Sequence, residues 1–431
     1  MTATSEALPD VLKHLRHNIV ASMGDGAFWM LGSGLVDLNN VLPVLAIAML
    51  GETPGKQFIP FIPLANLIIL FGSLLTAALA EQRQRHLPLM LAVGVMQRVP
   101  LLLAAMALWW FGLDFPVAVF WFVIAMLVVL YLAIGLMVNP WNELFLKQFP
   151  VNWRSTVLSF RGLTGQLLTF FVGSQIVKAL LDTGAASGAP SARQFGGLYF
   201  LCFAFMTVGY IFLAFQREPH SPPRPNPAQG LFGFLAKTPR LLKEDRYFLR
   251  YFLVSCLGLG WIPVLPQVAL YIKDQLEQPA EFIGYVIASG AAGAVVGSLV
   301  AGRLGDRYGG RTCLFWGRLT GLIALGGLAM APNQAVYLTM AGLIATAQQL
   351  LSVGDYAYLT EMAPVDERPT YLAIYRLLAV SIVLSGVALG KLWEHSHWPI
   401  QGLIAVGAGS MSLCLLFTLF LSEPRHETAP T

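Results

Sequence analysis

Stretches of about twenty mostly apolar residues recur along this chain, and that recurrence restricts its fold more than any other feature. A helix needs about 20 such residues to cross the hydrocarbon core of a bilayer, at about 1.5 Å of rise each. Twelve stretches qualify. They lie near 22–48, 57–80, 88–112, 116–144, 156–181 and 195–215, then near 250–272, 282–303, 312–331, 335–360, 370–391 and 399–421. Runs such as LPLMLAVGVMQRVPLLLAAMALWWFG are too long and evenly apolar for barrel strands, which alternate over about ten residues. Only helices then satisfy the backbone within lipid. The expected fold is an all-α integral membrane protein with twelve transmembrane helices in two six-helix bundles.

Composition sharpens this. Apolar residues make up 56% of the chain and charged residues 12%, against about 25% charged in soluble domains. Too little polar surface remains to coat a water-soluble particle, which excludes a soluble enzyme, a disordered chain and a nucleic-acid binder. The net charge is only +4, so the placement of the basic residues carries the information. With twelve spans, eighteen basic residues fall on the side of both tails and of the even-numbered connections, and four on the other. By the positive-inside rule the tails face the cytoplasm, as expected of an inner or plasma membrane protein. Glu6 and Asp10 interrupt the N-terminus, and no short apolar core with a cleavage site follows, so the first apolar stretch is expected to be a retained anchor. Cys202, Cys256, Cys313 and Cys414 stand singly in or beside apolar runs and read as small core residues.

The longest polar stretch divides the chain into a bundle over 1–216, a cytoplasmic linker over 217–249 and a bundle over 250–431. Five prolines within ten residues of the linker prevent helix. Leu231, Phe234, Leu235, Leu241 and Leu242 among basic residues then suggest a short amphipathic helix at the membrane surface. The halves repeat each other locally. Pro150, Val151, Arg154, Thr156 and Leu158 recur as Pro364, Val365, Arg368, Thr370 and Leu372, a constant offset of 214. Duplicated membrane halves are a mark of secondary transporters.

Between the eighth and ninth spans the chain reads Gly302-Arg303-Leu304-Gly305-Asp306-Arg307-Tyr308-Gly309-Gly310-Arg311. This resembles the loop motif of the major facilitator superfamily, Gly-x-Leu-Ala/Gly-Asp-Arg-x-Gly-Arg-Lys/Arg, with Gly310 in place of a basic residue. Gly302 would let two helices approach, and Gly309 and Gly310 would permit the tight turn. Asp306 is suited to a neighbouring helix N-terminus or a basic side chain. The resemblance implies a latch on the cytoplasmic side, with Gly302, Asp306, Arg307, Gly309 and Arg311 as gating residues. The loop after the second span keeps Leu79 and places Glu81 where Asp306 stands, but lacks the glycines.

An ionisable residue at the centre of a span costs about 2.5–3.5 kcal/mol on insertion scales, so it needs a partner or a role. Asp37 and Arg98 read as lying near mid-span, the depth at which such transporters bind solute. With Asn40, Gln97 and Gln348 they form the candidate solute-binding or coupling set. Arg161 and Arg376 follow Arg154 and Arg368 by seven and eight residues. That places them as cytoplasmic gate partners of Glu143, Glu361 or Asp355. If those carboxylates take up Arg161 and Arg376, then Arg98 and Arg318 remain against Asp37, which predicts an anionic or zwitterionic solute. No histidine lies inside a span, and no nucleotide-binding or metalloenzyme motif occurs. The chain is therefore expected to be no enzyme and to need no cofactor. The reading is a secondary active transporter working by alternating access, coupled to protons. Its partners are a small solute and membrane lipid, with no nucleic acid, and it acts as a monomer. The competing class is a sensor or scaffold that keeps a transporter fold without transporting.

Overall fold

A computed structural model describes residues 7–82, 85–182, 190–219, 241–258, 276–331, 333–363 and 400–423. It also describes 239, 261, 264–266, 371, 374–375, 377, 380, 384–386 and 388. All regular structure among them is helical. In the first half, α1 is Ala7–Leu35, α2 Val41–Leu50, α3 Glu52–Phe58, α4 Leu64–Gln82, α5 Leu87–Phe111, α6 Pro116–Gln148, α7 Val151–Leu168, α8 Ser174–Leu181 and α9 Ala192–Ala214. In the second half, α10 is Arg246–Gly258, α11 Phe282–Tyr308, α12 Gly310–Ala329, α13 Gln334–Met362 and α14 Ile400–Thr418.

Nine helical stretches among the described residues are long and apolar enough to cross a bilayer. They coincide with the second to sixth, eighth to tenth and twelfth expected spans. The seventh and eleventh lie partly outside the described residues, as do most of the linker and its expected amphipathic helix. The first span needs correction. The sequence places it over 22–48, whereas α1 runs from Ala7 and ends at Leu35. Its polar early turns are tied to the end of α9: the His17 ring donates from Nε2 to the Phe215 carbonyl at 2.7 Å. Asn18 exchanges two hydrogen bonds of 2.9 Å with the Arg217 backbone. Beyond Leu35 the Asp37 side chain takes over the backbone and starts a new helix. Apolar runs on both sides of this break read as one span by hydropathy alone.

The chain folds as two compact units. One contains 1–36, 65–176 and 190–235, and the other contains 37–64, 177–189 and 236–431. The last boundary falls inside the expected linker, but two pieces of the first half group with the second unit.

In the first unit α1 packs on α7 and α9, and α5 packs on α6 and α9. Gly72 of α4 and Gly135 of α6 bring their backbones together. A Cβ on Gly72 would stand 2.5 Å from the Leu132 carbonyl oxygen, and one on Gly135 would strike that of Ile69. One turn beyond Gly135, Asn139 donates from Nδ2 to the Ser73 carbonyl at 2.6 Å. The second unit repeats this device. Gly293 of α11 meets the Gly342 carbonyl of α13. One turn beyond Gly342, Thr346 donates from Oγ1 to the Gly293 carbonyl at 2.8 Å. Without a hydrophobic force between helices in lipid, close backbone packing and interhelical hydrogen bonds must hold them. The four cysteines are free thiols, and Cys202, Cys313 and Cys414 are buried.

Two spans of the first half are irregular. Gly51, at φ +88°, turns the chain between α2 and α3 in a left-handed conformation that favours glycine. A π-helical turn, Thr169–Gly173, joins α7 to α8.

Candidate functional site

The first unit holds an ion pair that the sequence reading missed. Asp25 of α1 accepts a hydrogen bond from Nη2 of Arg161 of α7 at 2.9 Å, and the two side chains are only 9% and 13% exposed. The tripeptide Gly24-Asp25-Gly26 builds the seat. A Cβ on Gly26 would occupy the space of the Arg161 side chain, and one on Gly24 would lie 2.5 Å from the Phe212 ring. The Arg161 guanidinium also lies over the Trp141 ring of α6, 4.8 Å from its centroid. The sequence pairs Arg161 with a cytoplasmic carboxylate such as Glu143, Glu361 or Asp355, but the residue that holds it here is Asp25. A carboxylate between two glycines in an apolar run was the available sign. A first span that starts at residue 22 leaves Asp25 at its margin.

Arg98 of α5 is fully engaged elsewhere. It donates from Nε and Nη2 to the Met206 carbonyl at 3.1 and 2.9 Å, and from Nη1 to the Gly94 carbonyl at 2.7 Å. A further bond of 3.2 Å reaches Gln97 Oε1, and the Tyr210 ring lies 4.5 Å below the guanidinium. Gln97 is itself buried and donates to the Ala133 carbonyl at 3.4 Å. These two candidates therefore fasten α5 to α9 and α6. Asp37 belongs to the second unit, and its Oδ1 accepts from the backbone N–H groups of Asn39 and Asn40 at 3.0 and 2.8 Å and from Asn40 Nδ2 at 2.8 Å. Asp37 and Asn40 thus form the turn that opens α2.

In the second unit Asp355 of α13 accepts from the Tyr251 hydroxyl of α10 at 2.6 Å and also bonds the Tyr375 hydroxyl. Tyr251 stacks between Tyr358 and Tyr375, with ring centroids 4.7 and 5.6 Å away. Arg318 of α12 is buried and donates to Thr418 Oγ1 of α14. The two units thus share a plan. In each, a buried arginine on the third span donates to the sixth. Gln348 of α13 is exposed. Arg376 lies outside the described residues.

The loop motif is partly rebuilt. Gly302 needs no close neighbour, since a Cβ there would meet open space. Close approach falls instead to Gly310, where a Cβ would lie 2.5 Å from the Tyr358 nitrogen. Gly309 does make the turn, at φ +89°. Arg307 is exposed over Tyr308, and the side chains of Asp306 and Glu81 lie outside the described residues. The N-terminus of α12, one site suited to Asp306, is taken by Glu423, which accepts from the Arg311 backbone N–H at 3.2 Å. Arg311 Nη2 in turn donates to the Leu419 carbonyl at 2.9 Å. The first unit has the counterpart: Glu218 accepts from the N–H groups of His86 and Leu87 at 2.8 and 2.9 Å and pairs with Lys147 at 3.3 Å. Both glutamates follow the sixth span of their half and precede a proline, Glu218-Pro219 and Glu423-Pro424. This repeated dipeptide was legible in the sequence but unread. A carboxylate at a helix N-terminus is favoured by the helix dipole.

Comparison with known proteins places this architecture. The family model described as Major Facilitator Superfamily matches residues 251–431. The D-xylose transporter of Levilactobacillus brevis is 25% identical over 133 residues, 31% of this chain and 28% of that protein. The arabinose-proton symporter of Escherichia coli is 24% identical over 197 residues, 44% and 41% of the two chains. The 3-(3-hydroxy-phenyl)propionate transporter of Escherichia coli is 28% identical over 264 residues, 59% of each. The chain thus spans less than two thirds of the length of each of these relatives. Among solved structures, the nucleoside transporter NupG aligns with a TM-score of 0.70 at 10% identity, over 94% of this chain and 100% of that one. The xylose transporter XylE from E. coli aligns with a TM-score of 0.61 at 15% identity, over 98% and 100%. These likenesses show the fold. The second half of the chain, residues 251–431, thus resembles the major facilitator superfamily in sequence, and nearly the whole chain shares the fold of the two transporter structures.

Proposed function

We propose that this protein is a secondary active transporter that carries a small anionic or zwitterionic organic solute together with protons by alternating access. The Asp25–Arg161 pair is its coupling element. The observation that carries this reading is the composition of the pair. A carboxylate that can take a proton is buried against a guanidinium that cannot lose one. Protonating Asp25 cancels the ion pair and leaves Arg161 seeking another anion, and breaking a buried pair costs about 3–5 kcal/mol. Proton binding therefore changes what the site prefers to hold. Two relatives lend support by name, one as a proton symporter and one as a transporter of an organic acid. In this reading both termini and the linker are cytoplasmic, and the working unit is a monomer in the inner or plasma membrane.

The test uses purified protein in vesicles loaded with a pH-sensitive dye. Organic acids, amino acids and pentoses are added in turn. The proposal expects an organic acid or an amino acid, and no pentose, to draw protons inward in wild-type vesicles and not in Asp25→Asn vesicles. Solute uptake with no proton movement in wild type would contradict it.

A further inference from the structure

Resting on the transport reading above, we infer that the solute is a monocarboxylate whose carboxylate replaces that of Asp25 on Arg161, so that one proton and one negative charge cross together. The cluster comprises Asp25 on α1 and Arg161 on α7, which pair at 2.9 Å, and the buried Arg98 on α5 of the same unit. Arg98 is held by the carbonyls of Met206 and Gly94, and α9 adds the Tyr210 ring beneath it and the buried Cys202 thiol nearby. The exchangeable partner in the cluster is therefore Arg161.

The charge count then selects the solute. With its carboxylate ionised, Asp25 neutralises Arg161 at 2.9 Å. When a proton adds to the Asp25 carboxylate, forming its O–H bond, Arg161 is left unpaired in a site that is nearly closed to water. A bound carboxylate restores the pair. Net charge within the cluster is then the same with and without cargo, so neither the loaded nor the empty protein carries an added charge through the membrane. A neutral polyol carried with one proton would leave Arg161 unpaired, at a cost on the order of several kcal/mol. A dianion would shift the balance the other way. Geometry supports the exchange. Arg161 donates from Nη2 to Asp25 and its guanidinium lies over the Trp141 ring, and guanidinium–carboxylate pairs are frequently bidentate. Gly26 keeps the arginine path clear.

The experiment measures uptake into wild-type proteoliposomes with an inward proton gradient, after subtracting protein-free vesicles. Lactate, D-xylonate, quinate and 4-hydroxybenzoate are compared with the neutral lactamide and D-xylose. We expect at least one acid to accumulate. Its rate should stay within about twofold when potassium and valinomycin set the interior negative rather than at zero. Neither neutral compound should accumulate. Arg161→Lys should raise KM about tenfold and Arg161→Gln should abolish saturable uptake, because a point charge cannot reproduce the planar fork. The wild-type electrical measurement stands even if a variant fails to fold. Proton-driven accumulation of xylose or lactamide, or acid uptake that changes several-fold with potential, overturns this inference and leaves proton coupling intact. If none of the six responds to the proton gradient, the coupling proposal falls with it.

Discussion

At the scale of single residues, burial and charge do not by themselves separate a ligand from a fastening. Arg98 has the depth and charge expected of a binding group, yet its donors are aimed at backbone carbonyls of α5 and α9. Arg98→Met should therefore act on stability. Unpaired buried carbonyls cost about 1–3 kcal/mol each, and a melting temperature several degrees lower in detergent would register that. An unchanged melting curve with lost solute binding would restore Arg98 to the site. Asp37 is a similar case. Replacing a side chain that accepts from the N–H groups at a helix start costs about 1 kcal/mol. Asp37→Ala should lower the melting temperature slightly while proton-driven uptake persists. Sequence alone could name these residues but not rank them, because rank depends on which carbonyls, rings and carboxylates the fold brings within reach. Asp25 shows the reverse: its pattern Gly-Asp-Gly was plain, but its weight follows only from Arg161, 136 positions away.

Among the helices, glycine position decides more than glycine count. Gly302 and Gly293 both lie on α11, but a Cβ would meet open space at the first and the Gly342 backbone at the second. Gly302→Ala should be neutral or stabilise by up to about 1 kcal/mol. Gly293→Ala should destabilise by about 1–3 kcal/mol through overpacking. Melting of the two variants side by side checks this, and equal effects would contradict the crossing described. Helix identity was legible because runs of twenty apolar residues allow little else in lipid. The ends of α1 were not, since its polar turns are kept helical by contacts with Phe215 and Arg217. The matched stretches Gly135-Leu-Met-Val-Asn139 and Gly342-Leu-Ile-Ala-Thr346 stand openly in the sequence. Their meaning, a polar bond one turn beyond a glycine crossing, needs the neighbouring helix.

Across the whole molecule the duplication extends from the helices to individual side-chain contacts. Each unit fastens its third span to its sixth through a buried arginine and caps its third span with a glutamate that follows the sixth. Among the described residues the first unit adds the buried pair Asp25–Arg161, while the second sets tyrosine hydroxyls around Asp355. The proposed coupling pair therefore lies within the first unit. The distribution of basic residues predicts that reporters fused after residue 225 and at the C-terminus read out as cytoplasmic, and an external signal from either would reverse the orientation. The most direct measurement of the central claim compares exchange with uphill uptake in Asp25→Asn vesicles, using the solute that drives proton entry in the wild type. The account predicts that labelled solute still exchanges across the membrane while accumulation against its gradient is lost. Uphill accumulation at the wild-type level in Asp25→Asn would show that the buried pair does not couple protons to transport.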